Sequence, residues 1–158
     1  YDTMFVVDLR EPELSWRTVR QPFKRRALSA DAIQGRIYFI GGMDDSNEPS
    51  RAVNVYDTKA DLWEEGPMLP AGPMQGFGSA ACVLSGTLYV SPYSASILAL
   101  STKRNGWENV AQLTQRRFFH RIVPSAPHSI IAIAGASRRD GHLAGLEEVN
   151  VKARAVDH

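Results

Sequence analysis

The chain has 158 residues, enough for a substantial core, and its 44% apolar and 22% charged residues are those of a soluble globular domain rather than a disordered one. A net charge of +1 gives no general attraction to nucleic acid or to a membrane surface, so neither is expected as a partner and any electrostatic specialisation has to be local. The single cysteine, Cys82, excludes an intramolecular disulfide, and within the apolar run 79–84 it reads as a buried small hydrophobe.

The elements read as strands from the start. Segments 4–9 and 16–20 come first, with Phe5-Val-Val-Asp8 leading to Trp16. A small and apolar run, 27–33, then meets a tight turn at Gln34-Gly35 and the β-rich run 36–40. Val53-Asn-Val-Tyr-Asp57 leads to Trp63, and the same order returns in 77–84, Ser85-Gly86, 87–90, 97–101 and Trp107. A third cycle runs through 118–125, Pro127-His128, 129–134 and 146–152. These runs are short, rich in Val, Ile, Tyr and Phe, and bounded by Gly, Pro, Ser and Asp, which is the signature of strands. Hardly any segment carries the 3.6-residue periodicity of a long amphipathic helix.

The three tryptophans stand 47 and 44 residues apart, and four strands per period of about 45 residues describe a propeller blade. Ile37-Tyr-Phe-Ile-Gly-Gly42, Val53-Asn-Val-Tyr-Asp57 and Leu62-Trp63 resemble a Kelch repeat, whose marks are a double glycine, a Tyr in the third strand and a Trp opening the fourth. The resemblance is diluted in 77–110, where Ser91-Pro92 replaces the double glycine, and in 118–152, which keeps Ala134-Gly135 but lacks the final Trp. It assigns structural roles to Trp16, Gly41, Gly42, Tyr56, Trp63, Trp107 and Gly135: glycines where backbones approach closely, aromatic plates packed between blades.

The resemblance implies an all-β fold, a Kelch-type β-propeller of three to three and a half four-stranded blades. The expected parts are a partial blade at 1–20, blades at 27–66 and 77–110, and a partial blade at 118–152, thirteen strands in all. Open blade edges invite pairing. The ring is therefore expected to be larger, with six or seven blades, and to close through a further chain segment or by self-association. The chain opens at Tyr1 in mid-repeat, so more chain is expected to precede it.

Blade strands alternate in direction, so the loops joining strands two and three share a face with the loops joining successive blades. These are the long loops: 43–50, 91–95 and 136–145, with 20–26, 66–76 and 111–117. Function concentrates on loops displayed by a rigid scaffold. The candidate binding residues there are Arg25, Arg26, Asp44, Asp45, Arg116, Arg117, His120, Arg138 and Arg139. Arginine suits carboxylates and phosphates through bidentate hydrogen bonds. On one reading Arg25, Arg26, Arg116 and Arg117 rim the channel and hold an acidic peptide. On the other, one Arg of each pair ties its loop to backbone carbonyls of the next blade.

No Gly-x-Ser-x-Gly elbow or phosphate loop is present, and His120, His128, His142 and His158 form no close metal-ligating pair. No catalytic set, metal or cofactor is expected. The function expected is a protein-interaction scaffold for a partner protein or peptide, since Kelch domains of adaptor proteins present partners to other machinery. The alternative is a carbohydrate-active propeller resembling sialic acid mutarotases, with Arg117 and His120 as its players.

Overall fold

The computed structural model describes residues 2–151. His158 and the expected end of the last strand at 152 lie outside them. The architecture is all-β and antiparallel, with no helix among the described residues. A hairpin of β1 (Thr3–Val7) and β2 (Trp16–Arg20) precedes two four-stranded sheets. The first contains β3 (Ser29–Ile33), β4 (Arg36–Ile40), β5 (Val53–Asp57) and β6 (Leu62–Glu65). The second contains β7 (Ala80–Leu84), β8 (Thr87–Ser91), β9 (Ser96–Leu100) and β10 (Trp107–Gln112). Next come β11 (Arg121–Ala126) and β12 (Ser129–Ile133), the short hairpin β13 (Ala136–Ser137) and β14 (Gly141–His142), and β15 (Leu146–Asn150), which pairs with β12. Fifteen strands therefore stand among the described residues where thirteen were expected, because the loop 136–145 folds back on itself as β13–β14.

Local chemistry sets the turns. Gln34-Gly35 and Ser85-Gly86 have φ values of 52°, 77°, 48° and 72°, and both pairs close two-residue hairpins, Ile33 opposite Arg36 and Leu84 opposite Thr87. Two consecutive positive φ values match the right-handed twist of the flanking strands. A polar residue at or just past the end of β1, β5 and β9 caps the next turn. Asp57 Oδ1 accepts from the amides of Lys59 and Ala60, Asp8 from that of Arg10, and Ser101 Oγ from that of Asn105.

Inner strands β3, β7 and β11 lie side by side, and the sheets stack face to face around them. Tyr38, Ile40, Val53 and Val55 pack on Leu88, Val90, Leu98 and Leu100. The opposite face of that second sheet presents Cys82, Tyr89, Ile97 and Ala99 to Ile122, Ile130, Ala132 and Val151. Burial on both faces explains why β8 and β9 read as nearly continuous apolar runs. Cys82 lies inside this core, where burial pushes its thiol up to about 12.

The repeat residues hold the stack together. The Trp63 indole donates to Arg20 O at 3.0 Å and the Trp107 indole to Pro67 O at 2.7 Å, each a carbonyl at the exit of the preceding blade. Trp63 also packs against Phe23, Phe39 and Tyr56, with ring centroids 5.0–5.5 Å apart. Trp16 has no such neighbour among the described residues and is 69% exposed. At Gly42 the amide donates to Gly76 O at 2.7 Å, while a Cβ on Gly41 would meet that oxygen at 2.5 Å, so the double glycine permits a backbone-to-backbone contact. Gly135 does the same against Phe118 O.

Candidate protein-binding face

The long loops converge at one end of the stack. The backbone of Arg26 pairs with that of Met43 and Phe118 with Ala136, so each loop entering an inner strand lies against a loop leaving a second strand. A further chain of backbone bonds joins the blades: Gly78 N to Ala27 O at 2.9 Å and Phe119 N to Gly78 O at 2.7 Å. Ala27, Gly78 and Phe119 all have φ between 54° and 59°, which marks them as equivalent positions of successive repeats.

Fixing those equivalences splits the arginine pairs. Arg25 is half-buried and donates to Ala52 O at 2.7 Å, to Phe39 O at 3.4 Å and to Asn54 Oδ1 at 2.6 Å. Burial lowers its pKa, and its guanidinium lies 4.3 Å from the Phe23 ring centroid. Arg117 is 3% exposed, donating to Ala134 O at 3.0 Å and pairing with Glu147 Oε2 at 3.1 Å. These two guanidinium groups hold loops to the ends of strands. Arg26 is exposed and donates to Asn47 Oδ1 at 2.8 Å. Arg116 is exposed and forms no hydrogen bond or ion pair among the described residues.

The acidic loop is ordered by its own first residue. Asp44 Oδ1 accepts from the amides of Ser46 and Glu48 at 3.0 and 2.9 Å, leaving Asp45 and Glu48 pointing to solvent. His120 is wholly buried at the start of an inner strand, and neither ring nitrogen has a partner among the described residues. Burial, then the charges of Arg117 and Arg121, lower its pKa to about 4, so the ring is neutral at pH 7.

Two recesses open on this face. One, of about 870 Å³, is lined by Arg20, Phe23, Arg25, Asp44, Asp45 and Trp63, among others, between the first hairpin and the first sheet. The other, of about 610 Å³, is lined by Tyr93, Thr114, Gln115, Arg116, Ser137, Arg138, Arg139 and Asp140. It brings Arg116 together with the adjacent pair Arg138-Arg139 of another loop. Among the described residues Arg138 has only the Met74 thioether at 3.5 Å, and Arg139, 93% exposed, lies 3.8 Å from Asp140. Beside it Phe77, Phe118, Phe119 and Tyr93 form an aromatic cluster with centroids 4.9–5.7 Å apart, and Phe119 is 53% exposed. Sequence reasoning had not singled out Tyr93.

Residues 24–70 match the Kelch motif family. That segment carries a Kelch motif, set within a stack of antiparallel blades. It is 39% identical over 72 residues to Kelch-like protein 36 of Mus musculus, covering 44% of this chain and 12% of that protein. It is 30% identical over 109 residues to Kelch repeat and BTB domain-containing protein 12 of Danio rerio, covering 57% of this chain and 18% of the relative. The chain thus spans under a fifth of the length of either. The solved structure of YjhT superposes with a TM-score of 0.76 at 13% identity, over 96% of this chain and 56% of that one, a likeness of Kelch propeller fold.

Proposed function

We propose that the chain is a protein-interaction module whose long-loop face holds a partner protein through an acidic segment. One observation carries the reading: three arginines from two separate loops line one recess, and none of them is held by a close ion pair. Charge left uncommitted on a rigid loop scaffold favours capture of an anionic partner over a role in holding the fold. The Kelch-like relatives support the same class. The carbohydrate alternative needs Arg117 and His120 to face a ligand, and both side chains are buried, the first already paired with Glu147.

Display selection of random peptides against the chain tests this, repeated with Arg116, Arg138 and Arg139 all changed to Ala. Acid-rich binders that are lost with the variant are the expected result. Binders indifferent to the variant, or mutarotation of sialic acid by the unaltered chain in a polarimeter, would overturn it.

A further inference from the structure

We infer that the recess bounded by Arg116, Arg138 and Arg139 takes a phosphorylated serine or threonine side chain of the partner; this deepens the preceding reading and rests on it. Three guanidinium groups line the recess against one carboxylate, that of Asp140. That carboxylate is partly engaged, because the Ser137 hydroxyl donates to Asp140 Oδ2 at 3.2 Å and accepts from the Asp140 amide at 2.8 Å, closing the turn. The neighbouring acid, Glu147, is consumed by Arg117 and by the amide of Thr114. Two positive charges remain uncompensated. A glutamate would bring one negative charge, whereas a phosphomonoester brings about 1.5 to 2 at neutral pH, with three strong acceptor oxygens.

Geometry agrees with the charge. Arg116 comes from the loop entering β11, while Arg138 and Arg139 come from the β13–β14 turn. Donors from two walls can therefore converge on one tetrahedral anion. Each guanidinium presents donors in a planar fork suited to paired phosphate oxygens. The walls between them are lined by Thr114, Gln115 and Tyr93, which carry hydroxyl and amide groups rather than further acids.

The surroundings favour a peptide over a flat anionic surface. Asp44, Asp45 and Glu48 stand in another long loop of the same face and would repel an extended polyanion, and the chain as a whole carries only +1. Phe119, half-exposed and packed on Phe118, which in turn packs on Tyr93 of the lining, offers an apolar surface to a residue flanking the phosphate, which an inorganic ion would not use.

The test uses the whole chain and three fluorescent peptide mixtures with randomised flanks, in which the fixed central residue is phosphoserine, serine or glutamate. Polarisation should show the phosphoserine mixture binding at least about tenfold tighter than the glutamate mixture. Arg116→Ala, and separately Arg138→Ala with Arg139→Ala, should abolish that difference without moving the melting temperature. Equal binding of the glutamate and phosphoserine mixtures, lost in the variants, would overturn the phosphate assignment and leave the acidic-partner reading standing. Binding that survives Arg116→Ala, or that inorganic phosphate or anionic vesicles match in affinity, would overturn it as well.

Discussion

Arg25 and Arg117 hold the same place in blades two apart: each donates to a backbone carbonyl flanking a strand, Ala52 O just before β5 or Ala134 O just after β12, and each also meets the second residue of the third strand, Asn54 or Glu147. The register supports the equivalence, since Ile40 lies opposite Val53 and Ile133 opposite Leu146. In the intervening blade Gly76 stands at this position, and a Cβ there would lie 1.6 Å from Ser50 O. The repeat thus uses one site three ways: a neutral partner, a charged partner, and no side chain.

The charged version should be the most sensitive to loss of its partner. Glu147→Ala leaves a buried guanidinium without its counter-charge and should cost roughly 3 kcal/mol in urea unfolding. Asn54→Ala removes one neutral acceptor from the half-buried Arg25 and should cost about 1 kcal/mol. Equal costs would mean that the Arg117–Glu147 pair is not insulated from solvent.

His120 should make stability depend on pH. Its folded pKa, about 4, lies below the ordinary value of 6.5, so the unfolded chain binds the proton first. The contribution is complete above pH 6.5 and is lost as pH falls towards 4, by roughly 2 kcal/mol at pH 5. Leu28 occupies the matching position in the first sheet: Cβ atoms on Gly42 and Gly135 would touch Leu28 and His120 respectively. His120→Leu should therefore flatten the stability profile between pH 7.5 and 5, measured by chemical unfolding. A variant as acid-sensitive as the parent would place the proton uptake elsewhere.

The close approach of Gly41 and Gly76 should tolerate no methyl group. Gly76→Ala forces its Cβ into Ser50 O and should cost more than about 3 kcal/mol or prevent folding. Gly86→Ala is the control. It has a positive φ of 72°, unlike Gly76, but nothing within 4 Å of an added Cβ, so only backbone strain of about 1 kcal/mol is expected from thermal melting.

The tryptophans should separate by burial. Trp107→Phe loses the indole bond to Pro67 O and should cost about 1 kcal/mol. Trp16→Phe, at a largely exposed site, should stay within about 0.5 kcal/mol. Near-ultraviolet circular dichroism of the folded chain should change for the first substitution far more than for the second.

The fold was legible because its determinants are local or periodic. Strand composition, the Gln34-Gly35 and Ser85-Gly86 turns, Gly41-Gly42 and the spacing of Trp16, Trp63 and Trp107 all lie within short windows. Their physical reasons, left-handed turns and aromatic plates between sheets, hold wherever they occur. The face of the long loops followed too, because strand alternation fixes which loops share an end.

Correspondence within the arginine pairs was decided by the tertiary structure. Counting from Trp16 and Trp107 aligns Arg25 with Arg116. A β-bulge between Asn109 and Ala111 in β10 inserts one residue, so the true counterpart of Arg25 is Arg117, and Arg116 is released to the surface. A bulge leaves little trace in composition, yet one extra residue exchanges a buried strut for a free cation. Burial of His120, sharing of the 610 Å³ recess by Arg116, Arg138 and Arg139, and the exposure of Phe119 likewise depend on which loops the stacked sheets bring together. The sequence alone determined that this chain builds Kelch blades with a charged, long-looped face; packing between distant segments decided which of those charges remain free to bind.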